Sequence, residues 1–128
     1  MQYEYFYGAQ AEQFSFYRIP KALFTEPNFR ELSTDAKVLY GILLDRMSLS
    51  LKNQWLDAQN KVYIIFTVEE IMDALNCANQ KATRLMVELE KQAGLIERKR
   101  QGLGRPNLIY AKNFAATIND KNCEKGDS

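Results

Sequence analysis

Apolar and polar positions change period several times along the chain, and each change marks an element. Val38, Leu39, Ile42, Leu43 and Met47 recur at helical spacing, which predicts a core-facing helix. Ser33 suits its N-cap, because the hydroxyl can accept an otherwise unpaired backbone N–H, and Asp35 complements the positive helix end. The pattern decays after Ser48, near Asn53-Gln54, residues 55–60 read as a turn, and the β-branched and aromatic run Val62-Tyr-Ile-Ile-Phe66 predicts a short strand. Thr67 and Glu70 have the spacing of a capping box, which places the next helix start there, with Ile71, Met72 and Leu75 as its apolar side. After Cys77-Ala78 a second helical pattern runs from near Asn79 to Gln92 and stops at Gly94. Its residues Ala82, Leu85, Met86 and Leu89 fall at i, i+3, i+4 and i+7, a stripe for the core. Residues 95–110 then read as strand, turn and strand around a tip at Gly102-Leu-Gly-Arg-Pro-Asn107. Helix, turn, helix and hairpin in that order predict an α+β fold: a winged helix-turn-helix with a small antiparallel sheet, in which the strand at 62–66 pairs with the hairpin.

The first 19 residues follow a different rule. Tyr3, Tyr5, Tyr7, Phe14, Phe16 and Tyr17 alternate with polar residues on either side of Gly8-Ala-Gln-Ala-Glu-Gln13, which predicts strand, turn and strand. An isolated two-stranded arm is not stable in water, so it must pack on the domain or on a second copy, and Tyr3, Tyr5, Tyr7, Phe14 and Phe16 are the candidate dimerisation residues. The expected organisation is an aromatic β-arm over 1–19, a winged-helix domain over 20–114 including a helical turn near residues 19–24, and a polar linker over 115–128 toward an absent C-terminal domain.

Composition narrows the class. A chain of 128 residues with 46% hydrophobic content can build one core. It has no apolar run long enough to span a bilayer and no secretory signal pattern. Cys77 and Cys123 allow at most one disulfide, which fits a cytoplasmic protein. The formal net charge is only +1, but its distribution is uneven. Residues 1–78 carry 7 basic and 10 acidic side chains, whereas residues 79–112 carry 8 basic and 3 acidic. Concentrating cations on the second helix and the hairpin is what a phosphate-binding face requires.

On the second helix the outward set comprises Gln80, Lys81, Thr83 and Arg84, whose amide, ammonium, hydroxyl and guanidinium groups hydrogen-bond base edges and phosphates. Every surface helix needs a polar face, so only its place in the order of elements marks it as a recognition helix. On the wing, Arg98, Lys99, Arg100, Arg105 and Asn107 are the candidates, with Arg98 and Arg100 expected on one face of the strand and Lys99 on the other. Pro106 restricts the backbone of Arg105, and a rigid arginine at a loop tip suits a minor groove or a phosphate. An exposed basic hairpin can equally be a solvated face. Catalysis is not expected: the chain has no histidine, no phosphate loop, and no cysteine spacing suited to zinc. No cofactor or metal is implied.

Several segments carry a family resemblance: Phe16-Tyr-Arg-Ile-Pro-Lys-Ala-Leu-Phe24, Leu32-Ser-Thr-Asp-Ala-Lys-Val-Leu-Tyr40, Leu44-Asp-Arg-Met-Ser-Leu-Ser-Leu-Lys-Asn53, Val62-Tyr-Ile-Ile-Phe-Thr67 and Gly94-Leu-Ile-Glu-Arg-Lys-Arg-Gln-Gly-Leu-Gly-Arg-Pro-Asn107. Over about residues 14–114 the chain resembles the N-terminal domain of plasmid replication initiator protein A, the RepA_N family of low-GC Gram-positive plasmids and mobile elements. The resemblance implies a domain that binds repeated or inverted double-stranded DNA sites at a replication origin, usually as a homodimer. It also implies a separate C-terminal domain that contacts host replication proteins. The family's wing motif carries over onto Arg98, Lys99, Arg100 and Arg105, and its recognition helix onto Asn79, Gln80, Lys81, Thr83 and Arg84. Two other readings fit the same pattern of elements: a winged-helix transcriptional regulator, and a primosome-type module that binds mainly protein.

Overall fold

The computed structural model describes residues 2–115. Four helices and a hairpin follow one another: α1 (Ala22–Thr25), α2 (Thr34–Lys52), α3 (Val68–Leu75), α4 (Asn79–Val87), β1 (Ile96–Lys99) and β2 (Leu108–Ala111). Local chemistry sets most of the boundaries. Ser33 Oγ accepts the Ala36 N–H at 3.2 Å and opens α2. Thr67 and Glu70 form the reciprocal capping box that opens α3. Asn76 takes the left-handed conformation that ends α3 and turns the chain toward α4.

The apolar stripes meet in one core. Leu39, Ile42 and Leu43 of α2, Ile71 of α3 and Ala82, Leu85 and Met86 of α4 are buried together with Leu89, Ile96 and Ile109. Val38 and Met47 pack against this core from partly buried positions. Gly41 lets the chain cross α2 closely: a Cβ there would meet Ile19 Cγ1 at 2.8 Å and the Arg18 carbonyl oxygen at 3.0 Å. β1 and β2 pair antiparallel with Arg98 opposite Ile109. Ile109 also exchanges two backbone hydrogen bonds with Ile64, at 2.8 and 2.9 Å. Helix, left-handed turn, helix and hairpin make this a winged helix-turn-helix, as the pattern predicts.

Two expectations need correction. Residues 2–19 contain no strand; they are extended around a single 3-10 turn at Gln10–Gln13. A hairpin there would present both faces to water, and no neighbouring strand edge supplies a third set of backbone partners. The expected strand at 62–66 is reduced to single bridges, Ile64 with Ile109 and Leu56 with Val62. Helix α2 ends at Lys52 with Asn53 as its C-cap, where its pattern decays. The last helix is not uniform: after Val87 it widens into a π-helical segment, Glu88–Gln92, and ends at Ala93 before Gly94 at φ 67°. The linker expected over 115–128, with Cys123, lies almost wholly outside the described residues.

The π-helical segment is pinned from α2. Glu88, only 8% exposed, accepts the Ser33 N–H through Oε1 and the Ser33 hydroxyl through Oε2, the latter at 2.9 Å. A buried carboxylate needs such donors, and removing it strands both. Glu88→Ala is therefore expected to destabilise the domain by about 2–3 kcal/mol, read as a lower urea midpoint at unchanged slope.

Candidate nucleic-acid interface

The exposed face is built from α4 and the hairpin. Ala82, Leu85 and Met86 turn α4's apolar side inward, which leaves Asn79, Gln80, Thr83 and Arg84 exposed. Thr83 Oγ1 donates to Asn79 Oδ1 one turn earlier, at 3.5 Å. Arg84 has no ion pair among the described residues. Lys81 differs from its expected role: its ammonium sits 2.7 Å from Asp35 Oδ2 in the first turn of α2. That contact holds α4 against α2 and occupies the cation that the wheel placed outward.

The wing divides in the same way. Lys99, Arg100, Arg105 and Asn107 are exposed; Arg100 lies just past the end of β1, so strict alternation with Arg98 does not extend to it. Arg98 is tied down. Its Nε and terminal nitrogen reach Glu90 Oε1 at 2.9 and 2.8 Å, and its backbone N–H donates to Glu90 Oε2 at 3.0 Å. Burial disfavours the Glu90 carboxylate, but the Arg98 N–H and guanidinium outweigh it and hold the acid below the ordinary glutamate value. Glu90 is a wing contact that helical periodicity cannot find; its only signal in the sequence is an acid standing within a mainly basic segment.

Other contacts brace the hairpin's second strand. Tyr110 donates its hydroxyl to Asp57 Oδ2 at 3.1 Å, and Asp57 Oδ1 accepts the Gln59 and Lys61 N–H groups at 2.8 and 2.9 Å. Those donors hold the Asp57 carboxyl below its usual value, the Lys61 N–H most of all. Tyr40 donates to the Lys112 carbonyl at 2.8 Å, and burial pushes its phenol up to about 12. The tip is open. Gly102 and Gly104 adopt φ of 120° and 76°, Gln101 Nε2 donates to the Pro106 carbonyl at 2.7 Å, and Leu103 at the apex is 98% exposed.

The arm's aromatics are exposed, Tyr5 to 84%. Phe14 sits edge-on to both Phe6 and Phe16, with ring centroids 6.0 and 6.3 Å apart. A groove of about 1270 Å³ opens beside the hairpin, lined by residues that include Met47, Asp57, Arg98, Lys99, Tyr110 and Lys112. It borrows nothing from α4. No helix among the described residues is long and apolar enough to cross a membrane.

The family described as replication initiator protein A (RepA) N-terminus matches residues 15–124. The chain belongs to this family. It is 32% identical over 103 residues, 80% of its length, to the 41 kDa protein of Lactobacillus helveticus, and spans 28% of that relative. Among solved structures it is similar to the N-terminal domain of a DNA binding protein, with a TM-score of 0.73, 36% identity and coverage of 99% of this chain and 98% of that one. A Rep–DNA complex gives a TM-score of 0.73 and 36% identity, covering 98% of each chain. An MDR initiator gives 0.71 and 39%, covering 98% of this chain and 99% of that one.

The lowered pKa of Glu90 has a definite sign for stability. A carboxyl whose folded value lies below its unfolded value contributes stability above the unfolded value and loses it as pH falls through the folded one. The Glu90–Arg98 contact is accordingly intact at neutral pH and opens in acid. Carboxyl-carbon NMR should place the Glu90 midpoint below that of a free glutamate; a midpoint at or above it refutes the contact.

Proposed function

We propose that this domain binds double-stranded DNA in a sequence-dependent way at the repeats of a plasmid replication origin, as the DNA-binding part of an initiator. The observation that carries the reading is a set of outward cations that make no ion pair among the described residues, on the two elements a winged helix offers to a duplex. These are Arg84 on α4, and Lys99, Arg100 and Arg105 on the wing. Helix α4 enters the major groove with Asn79, Gln80, Thr83 and Arg84 toward base edges. The wing lies along the adjoining backbone or minor groove, where an arginine is favoured by the concentrated negative potential. The initiator role is supported by family membership and by the solved Rep–DNA complex to which the chain is similar. The protein performs no chemistry of its own in this reading: it assembles on the origin, in the cytoplasm, and host replication proteins are engaged through a region outside this chain.

The exposed arm is assigned to self-association. Tyr3, Tyr5, Tyr7, Phe14 and Phe16 offer a large aromatic area, which a second copy would cover. A homodimer also suits repeated or inverted sites, because two recognition helices then read two half-sites.

Titration of duplexes carrying origin repeats against random duplexes of equal length tests the main claim; equal affinity for both refutes it. Arg84→Ala and Arg105→Ala should each weaken specific binding by about 1–3 kcal/mol where they touch bases, and less where they touch phosphate alone. Deleting residues 1–13 should shift the protein toward monomer in sedimentation, and a variant that sediments like the parent removes the dimer assignment.

A further inference from the structure

Within the basic segment 79–112 the three acids have separate fates. Glu97 lies on the exposed side of the hairpin, 3.9 Å from Lys112. Glu88 and Glu90, two residues apart on one helical segment, point to opposite sides of it. Glu88 is held by Ser33 at the start of α2. Glu90 reaches the wing, where both of its oxygens are used by one residue: the side chain of Arg98 occupies Oε1 and its backbone N–H occupies Oε2.

The backbone contact separates this from an ordinary surface ion pair. Arg98 faces Ile109 in the β1–β2 register, and Ile109 spends its own N–H and carbonyl on Ile64. The position is thus a non-hydrogen-bonded one, so the Arg98 N–H points off the outer edge of the sheet. Glu90 takes that edge donor. It also receives a forked guanidinium in a half-buried setting, where geometry is held more tightly than in solvent. One carboxylate therefore fixes position and angle together, at the residue two before Arg100 and seven before Arg105.

We propose that Glu90 and Arg98 are positioning residues for DNA binding: their contact locks the wing to the end of α4, so the helix and the basic hairpin meet a duplex as one rigid surface. This rests on the DNA-binding reading above. It removes Arg98 from the phosphate contacts, and it makes a prediction of unusual sign. Glu90 is a negative charge beside a phosphate-binding face, so charge alone makes its loss strengthen binding. Positioning makes its loss weaken binding.

The test titrates the whole chain with a duplex bearing origin repeats, over a range of salt concentrations. Glu90→Ala should bind about tenfold more weakly despite the gain of one positive charge, with the salt slope of the parent. Arg98→Ala should lose a similar factor at the same slope, and the double variant should be no weaker than either single one. Tighter binding by Glu90→Ala overturns the proposal. So does an Arg98→Ala variant whose salt slope falls by about one phosphate and whose loss adds to that of Glu90→Ala, since Arg98 would then touch DNA itself. Amide exchange without DNA supplies a second readout: Glu90→Ala should expose the Arg98 N–H while α2 and α3 stay protected, and an unchanged Arg98 amide overturns the clamp whatever the DNA does. Failure of the DNA reading looks different, because the parent would then fail to distinguish origin repeats from random duplex.

Discussion

The Glu88 carboxylate is the constraint on which the arrangement of helices depends. A charge that is almost fully buried is tolerable only where donors surround it, and both of its donors come from Ser33. Ser33 is also the N-cap of α2, where its hydroxyl accepts the Ala36 N–H. One serine therefore opens the longest helix and receives the segment that follows α4. Lys81, one turn into α4, meets Asp35 in the same first turn of α2. Two contacts about two turns apart prevent α4 from rolling or sliding on its apolar stripe, which by itself specifies a face but not an axial position.

The π-helical widening at Glu88–Gln92 belongs to the same constraint. It lies where α4 leaves its packing against α2 and must deliver the chain into β1. Leu89 and Leu95, both buried, are joined across this exit by the Leu95 N–H donating to the Leu89 carbonyl at 2.9 Å. Glu88 and Glu90 flank Leu89, so the segment that turns the chain also carries both anchoring carboxylates. Such local departures from α-helical geometry are often found at functional sites. Here the departure carries one carboxylate toward the start of α2 and the other toward the wing.

Internal pairing also purifies the outward charge. Arg46 is held by Glu70 at 3.0 Å and lies over the Phe66 ring, Lys81 by Asp35, and Arg98 by Glu90. The acids that dilute the positive count of residues 79–112 are largely those turned toward the protein. What remains on the α4 and wing surface is Arg84, Lys99, Arg100 and Arg105, a more uniform field than the sequence total suggests. The reading of the chain succeeds where the cause is local: N-caps, the capping box and the i, i+3, i+4 stripe of α4 are all set within a turn or two. It fails where the cause is a partner distant in the chain. Asp35 and Lys81 are 46 positions apart, and nothing in the spacing of either says that the lysine is spoken for. Arg98 and Glu90 are closer, but their contact crosses a change from helix to strand, where neither period applies. The arm fails for a related reason, since alternation signals a strand only if another edge is present to complete it.

The wing is consequently graded in stiffness from base to tip. At its base, β1 is held on its outer edge by Glu90, and β2 is held by Ile64 through paired backbone bonds and by Asp57 through Tyr110. Toward the tip the ladder ends at Lys99 and Leu108. The loop is then closed by the Gln101–Pro106 contact and a bond from the Arg105 N–H to the Gly102 carbonyl at 3.3 Å. Two glycines at positive φ and a leucine without packing make that apex the least constrained part of the hairpin. A duplex varies little in the spacing of its backbone and more in the width of its minor groove. In the proposed binding mode a rigid base aims the arginines at the backbone in a fixed relation to α4, and an adaptable apex tolerates the variation in groove width. The same gradient explains why the clamp stands at Arg98 rather than Arg105: a constraint at the hairpin's root sets direction, whereas one at the apex would remove the adjustment that groove contact needs.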